Sequence, residues 1–341
     1  MGELGGNRGP TGRSSEPPGL GEVWTLVLAG GEGRRMCPFI QRWLGHPRPK
    51  QFCSFFGDRT LLGYTLQRAA RMVGSDRVAT VVSKHHYRFL SEEPWLPGRI
   101  LVQPAARGTG AASYLGLSWV SGVDREAVVV LTPADHLVHP EEVFFQRIAE
   151  ALRLVDLQPE RLVLTAAVAR EPNPDYGWIE PGEPPCCTEA AHLPSVRPVR
   201  KFLEKPPRTT ARHCFECGCF WSTMIVVARA ATLWELLASL RPEAAFLLET
   251  LREWYGRHSS LVREDNTIPG EEAWVAAVYE NLEEFDFSRD ILMEVPERCL
   301  LVPLEGVVWD DLGRPERLVR ALRQMGWEPN FDPRLVSLGD Q

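Results

Sequence analysis

The stretch Leu26–Phe52, LVLAGGEGRRMCPFIQRWLGHPRPKQF, constrains this chain more than any other. An apolar run of Val23, Leu26, Val27 and Leu28 feeds into a turn of Gly30, Gly31, Glu32 and Gly33. A strand that ends in a turn without bulky side chains lets backbone N–H groups approach an anion closely. Arg35 and Lys50 then supply the fixed positive charge that a polyphosphate demands. The pattern is not a Walker loop, because no Lys-Ser or Lys-Thr follows the glycines. Nor is it the dinucleotide fingerprint, since Met36 holds the place of the third glycine. The segment reads as a nucleoside triphosphate site.

Around it, strand-like and helix-like segments alternate. Trp24–Ala29, Val78–Val82, Ile100–Val102, Ala127–Leu131 and Leu162–Val168 are short apolar runs. Leu61–Val73, Thr109–Val120 and Glu141–Leu154 carry apolar residues at helical spacing. This order predicts an α/β, Rossmann-like fold, a mixed but mostly parallel sheet sandwiched by helices. Ligands of such sheets bind beyond the carboxyl ends of the strands, where Gly30, Gly31 and Asp135 all fall. Later strands are expected at Val199–Pro206, Cys219–Ala228, Leu300–Pro303 and Val307–Trp309. Later helices are expected at Leu233–Leu240, Glu243–Tyr255, Glu271–Asn281 and Pro315–Met325. Thr188–Pro198 reads as a connector and Met1–Gly21, rich in Gly, Pro and Ser, as a disordered tail rather than a signal peptide. Residues 22–341 form one expected unit, with a nucleotide-binding half over about 22–160 and a sugar-facing half over about 161–341.

Composition narrows the partners. The net charge of −7 argues against a general nucleic-acid partner, so a polyphosphate must be held by local charge. No apolar run reaches the roughly 18 residues needed to span a bilayer, and the expected compartment is the cytoplasm. Of eight cysteines, Cys214, Cys217 and Cys219 follow His213 in HCFECGC. That spacing suits either zinc ligation, with Cys186-Cys187 as the second pair, or buried thiols packed as small hydrophobes.

Asp135, in Pro133-Ala134-Asp135-His136 after an apolar strand, is poised to hold Mg²⁺ through oxygen. It could equally cap a helix or a turn. Gln103, just past another strand, offers a donor and an acceptor to a base edge.

The spacing of Gly30, Gly31, Gly33, Arg35, Pro38 and Pro49-Lys50 resembles the signature of sugar-phosphate nucleotidylyltransferases. Pro49-Lys50-Gln51-Phe52 in particular is similar to the mannose-1-phosphate guanylyltransferase branch. The resemblance runs from about Val23 to Met325. It implies that Leu28, Ala29, Gly30, Gly31, Gly33, Gln103, Gly108 and Thr109 bind the nucleotide. Tyr176-Gly177-Trp178-Ile179 and Phe202-Leu203-Glu204-Lys205-Pro206 resemble the sugar-phosphate elements, giving Gly177, Glu204, Lys205 and Trp221 to that substrate. Trp309-Asp310-Asp311-Leu312-Gly313 resembles the late Trp-x-Asp-Val-Gly element, which makes Asp311 the second metal carboxylate beside Asp135, with Asp310 as its adjacent rival. The catalytic set is then Arg35, Lys50, Asp135, Lys205 and Asp311. The implied reaction joins GTP and mannose 1-phosphate with Mg²⁺, in an assembly that allows a homodimer. One departure bears on the sugar: the family pattern Trp-Asn-Ser/Thr-Gly is replaced here by Trp221-Ser222-Thr223-Met224. That change leaves open another nucleotide or sugar 1-phosphate, or a non-catalytic paralogue that binds a sugar nucleotide.

Overall fold

The computed structural model describes residues 22–183 and 196–336. The N-terminal tail, the Cys186-Cys187 doublet and most of the Thr188–Pro198 connector lie outside the described residues.

Strand β1 (Val23–Leu28) is apolar on both faces because it lies inside a sheet, flanked in parallel by β2 (Val78–Ser83) and β4 (Val128–Pro133). Strand β3 (Arg99–Gln103) adds to β2, also in parallel. Helices cover both faces. Helix α1 (Cys37–Leu44) leads into the Lys50 turn, and helix α2 (Leu61–Val73) packs Leu62, Leu66 and Ala69 against Val27 and Val82. Helix α3 (Gly108–Val123) lies on the opposite face with Leu26, Val81 and Leu101. Fully burying one such leucine stabilises the fold by roughly 2 kcal/mol. Helix α3 is buried almost all round, because a later helix, Pro242–His258, crosses its outer side.

Past β4 come the short strand β5 (Leu137–His139), helix α4 (Glu141–Leu157), and strands β6 (Leu162–Val168), β7 (Trp178–Pro181) and β8 (Arg197–Leu203). Helix α5 (Arg208–Glu216) leads to the long strand β9 (Phe220–Arg229), which sits antiparallel between β4 and β6 and joins the two halves of the sheet. Four helices follow: α6 (Ala230–Leu240), α7 (Pro242–His258), α8 (Glu271–Asn281) and the single turn α9 (Phe287–Asp290). Strands β10 (Cys299–Pro303) and β11 (Val308–Asp310) and helix α10 (Pro315–Met325) close the chain.

The nine-stranded sheet runs β3-β2-β1-β4-β9-β6-β10-β8-β7. The α/β class and the helical sandwich stand, with one refinement. Four pairings in this sheet are parallel and five antiparallel, so the parallel order belongs to the first half and the second half is mixed. Elements absent from the sequence expectation are mostly short: β5, β7 and α9 span three or four residues each. Helix α1 is a further element absent from the sequence expectation; Pro38 lies in its first turn and Gly45, in the left-handed region, ends it.

Candidate active site

Two ladders build the site. The parallel β1–β4 pairing sets Gly30 and Asp135 just beyond neighbouring strand ends. A separate two-stranded ladder, β5 against β11, pairs Leu137 with Asp310 and Val138 with Trp309. It brings the segment after Asp135 alongside the one before Asp311, residues far apart in sequence.

Lys50 sits between the two carboxylate segments. Its Nζ lies 2.8 Å from Asp135 Oδ2 and donates to the backbone carbonyl of Asp311. The lysine is almost fully buried, which a charged amine tolerates only when paired. Asp311 is held on two more sides, by Arg317 Nη2 at 2.8 Å from Oδ1 and Arg35 Nη2 at 3.3 Å from Oδ2. Burial works against its charge, but Lys50 and Arg317 outweigh that and hold its carboxyl below the usual range. Asp310 differs. Burial pushes its carboxyl up, and its Oδ1 accepts from the Leu312 amide at 2.7 Å. It lines a cavity with Trp221, Trp309 and Arg320. Of the adjacent pair, Asp311 is therefore the one turned toward Lys50 and Arg35.

Asp135 and Asp311 offer only oxygen, and an ammonium already bridges their two segments, so the pair fits a hard divalent cation. Among the described residues no group of three or more His, Cys, Asp or Glu could hold a metal. A cation here would take its other ligands from water and phosphate. Cys214 and Cys219 are buried neighbours, while exposed Cys217 turns its Sγ toward the His213 ring at 3.6 Å.

The glycine turn is pinned from below. Gln51, fully buried, donates through Nε2 to the carbonyls of Ala29 at 2.8 Å and Gly31 at 2.9 Å. Leu28 ends β1 immediately before it. A side chain at Gly30 would stand 2.7 Å from Gln103 Nε2, so Gln103 rests on the turn itself. The Oε1 of Gln103 is buried and has no hydrogen-bond partner among the described residues.

Gly108 and Thr109 serve the fold directly. At φ +84°, Gly108 has the Phe285 carbonyl where a side chain would begin, 2.1 Å away. Thr109 Oγ1 donates to Asp286 Oδ2 at 2.8 Å and accepts from the Phe287 amide at 2.9 Å. Gly108→Ala is expected to lower unfolding stability by about 3 kcal/mol, read by chemical denaturation, because strain and clash coincide.

Among the motifs expected to meet the sugar phosphate, Gly177 approaches Glu204 so closely that a Cβ would meet its Oε2 at 2.9 Å. Lys205 Nζ pairs with Glu204 Oε1 at 2.7 Å. Trp221 is not with them. Its ring is buried in the core, 4.6 Å from Tyr176 and 6.1 Å from Trp178, and Ser222 instead lies against Gly177. Strand alternation explains this, since neighbours on β9 point to opposite faces. The β6–β9 register slips just after Ser222, and Met224 there has φ +58°, a conformation that favours glycine. Of the four non-glycine residues with positive φ among the described residues, Met224, Lys205 and Leu312 fall in or beside the site motifs.

The remaining ionisable group is His136, whose ring lies edge-on to Trp309 at 5.2 Å. Burial, opposed by Asp135, pushes its imidazole down to about 4. The unfolded chain takes up that proton near pH 6.5, so stability is present above 6.5 and lost as pH falls toward 4. The expected loss across that window is up to about 3 kcal/mol. Thermal melts should show a shallower slope for His136→Asn.

Residues to which motif reading gives no role surround the site: Gln51 beneath the turn, Arg317 behind Asp311, and Asp175, which binds Arg35 Nη1 at 3.0 Å. Gln51 was quoted within a motif without a role; the other two carry no local signal.

Fold and site together define a nucleotide-handling α/β protein, and the chain belongs to the nucleotidyl transferase family, whose profile matches residues 24–326. Among its relatives, mannose-1-phosphate guanylyltransferase 2 of Escherichia coli O157:H7 is 27% identical over 301 residues, covering 85% of this chain and 58% of that protein. The alginate biosynthesis protein AlgA of Pseudomonas fluorescens is 28% identical over 295 residues, covering 84% and 56%. The chain thus spans a little over half the length of these relatives. A solved structure, mannose-1-phosphate geranyltransferase from Thermus thermophilus, shares the fold with a TM-score of 0.71 at 24% identity, over 88% of this chain and 79% of that one. No helix among the described residues is long and apolar enough to cross a membrane.

Proposed function

We propose that this chain transfers a guanylyl group from GTP to mannose 1-phosphate, giving GDP-mannose and pyrophosphate. The observation that carries the reading is the meeting of Arg35, Lys50, Asp135 and Asp311 at the strand ends. The names of the relatives suggest the two substrates.

In this reading a phosphate oxygen of the sugar phosphate attacks the α-phosphorus in line and the pyrophosphate oxygen leaves. No general base is needed, because a phosphate dianion is already nucleophilic, so positioning and charge stabilisation do the catalysis. The Gly30–Gly33 turn and Arg35 hold the β- and γ-phosphates. Lys50 moves its charge from Asp135 to the α-phosphate and leaving oxygen. Glu204 accepts from a sugar hydroxyl and Lys205 orients the attacking phosphate. Magnesium, when held by Asp135 and Asp311, supplies further neutralisation of the phosphate oxygens. The unpartnered Gln103 Oε1 suits an N–H on the Watson–Crick edge of guanine.

Calorimetric titration of GTP, ATP, UTP and dTTP tests the base assignment. GTP should bind most tightly, and Gln103→Ala should weaken GTP most; equal affinities across the four would overturn it.

A further inference from the structure

Arg35 has two partners that the reaction itself does not explain. Its Nη1 lies 3.0 Å from Asp175 Oδ2, and its Nη2 lies 3.3 Å from Asp311 Oδ2. Asp311 is one of the two carboxylates proposed for the cation, whereas Asp175 has no part in the proposed reaction. It sits one residue before Tyr176-Gly177, on the sugar side of the molecule. Its backbone amide is fixed by Asn173 Oδ1 at 2.9 Å, and its Oδ2 also accepts from Arg314 Nε at 2.8 Å. The Arg314 hydrogen bond, with Arg35 adding to it, holds the carboxyl below the usual range, so it is charged near neutrality.

The same guanidinium N–H groups cannot serve a carboxylate and a phosphate at once. The Arg35 side chain is 42% exposed and that of Asp175 23%. Ion pairs this open to water are weak, and a polyphosphate with several charges outcompetes them. The pair is thus weak enough to be opened by substrate, and a phosphate that takes the Nη1 edge of Arg35 must displace Asp175 from it.

We propose that Asp175 gates nucleotide affinity: it holds Arg35 while the site is empty, and the incoming polyphosphate must take Arg35 from it. This rests on the reading of Arg35 as a phosphate-holding residue. The gate joins the nucleotide turn to the segment preceding the sugar motif, so filling one side leaves Asp175 paired with Arg314 alone.

The test is isothermal titration with two probes, inorganic tripolyphosphate and GTP. The proteins are wild type, Asp175→Asn, Arg35→Ala and the double variant, with Asp175→Ser as a second neutral replacement and Asp175→Glu as the conservative control. Both neutral variants should bind tripolyphosphate about three- to fivefold more tightly than wild type, the range expected for freeing one exposed ion pair. Asp175→Glu should stay at the wild-type value. The gain should vanish when Arg35 is already alanine, because the two residues act as a pair. Unchanged or weaker tripolyphosphate binding by the neutral variants overturns the gate. So does an equal gain in the Arg35→Ala background, which would reduce the effect to a lost negative charge. Tighter tripolyphosphate binding with no GTP binding in any variant would uphold the gate and reject the guanylyl reading.

Discussion

Lys50→Ala is expected to lower kcat by about a hundredfold, on the order of 3 kcal/mol of transition-state stabilisation. Among the described residues Lys50 is the one cation in contact with both carboxylate segments, through Asp135 Oδ2 and the Asp311 carbonyl. In the resting site it neutralises the carboxylates. In the proposed reaction the same charge faces the leaving oxygen once the phosphates are bound. Steady-state kinetics should show the loss mainly in kcat, with KM for the nucleotide changing less. Removal of a buried ammonium also leaves Asp135 short of a partner, so a thermal melt must accompany the kinetics. A folded Lys50→Ala protein with near-normal turnover would remove lysine from the mechanism.

Asp311→Asn should cost a similar factor, and the comparison with Asp310→Asn makes it informative. The two aspartates are neighbours with opposite surroundings. Asp311 is kept charged by Lys50 and Arg317, whereas burial pushes the Asp310 carboxyl up. Asparagine at 311 keeps the volume but loses the charge that would bind a cation and hold Arg35 and Arg317. We expect about a hundredfold lower kcat and a higher metal concentration for half activity. Asp310→Asn should stay within about threefold of wild type, since no ion pair of the site depends on it. Reversed outcomes would move the second carboxylate to Asp310.

The elements that position these residues are partly legible in the sequence, and the reason lies in the distance over which each feature is encoded. The apolar run into Gly30-Gly31, the apolar strand ahead of Asp135 and the helical period over Leu61–Val73 are local patterns. Helices α2, α8 and α10 have the expected bounds for the same reason. The β5–β11 ladder that joins the two carboxylate segments is three residues deep and pairs positions about 170 apart, too short to announce itself. Trp221 follows the same logic. Its motif neighbours pointed to the sugar, but strand alternation and a register slip turn it into the core and bring Ser222 forward. Gly108 and Thr109 are expected at the base, and the long-range contacts that also fix them, Gly108 against the Phe285 carbonyl and Thr109 on Asp286 and the Phe287 amide, have no local signal. The Arg35–Asp175 pair crosses from one half of the molecule to the other, and no spacing rule finds such a contact.

The most direct measurement of the central claim is pyrophosphate release by the purified protein with Mg²⁺, GTP and mannose 1-phosphate, omitting each in turn. Release that requires all three is the predicted result. Silence with all three present, while another nucleotide or sugar 1-phosphate supports release or none does, would contradict the assignment.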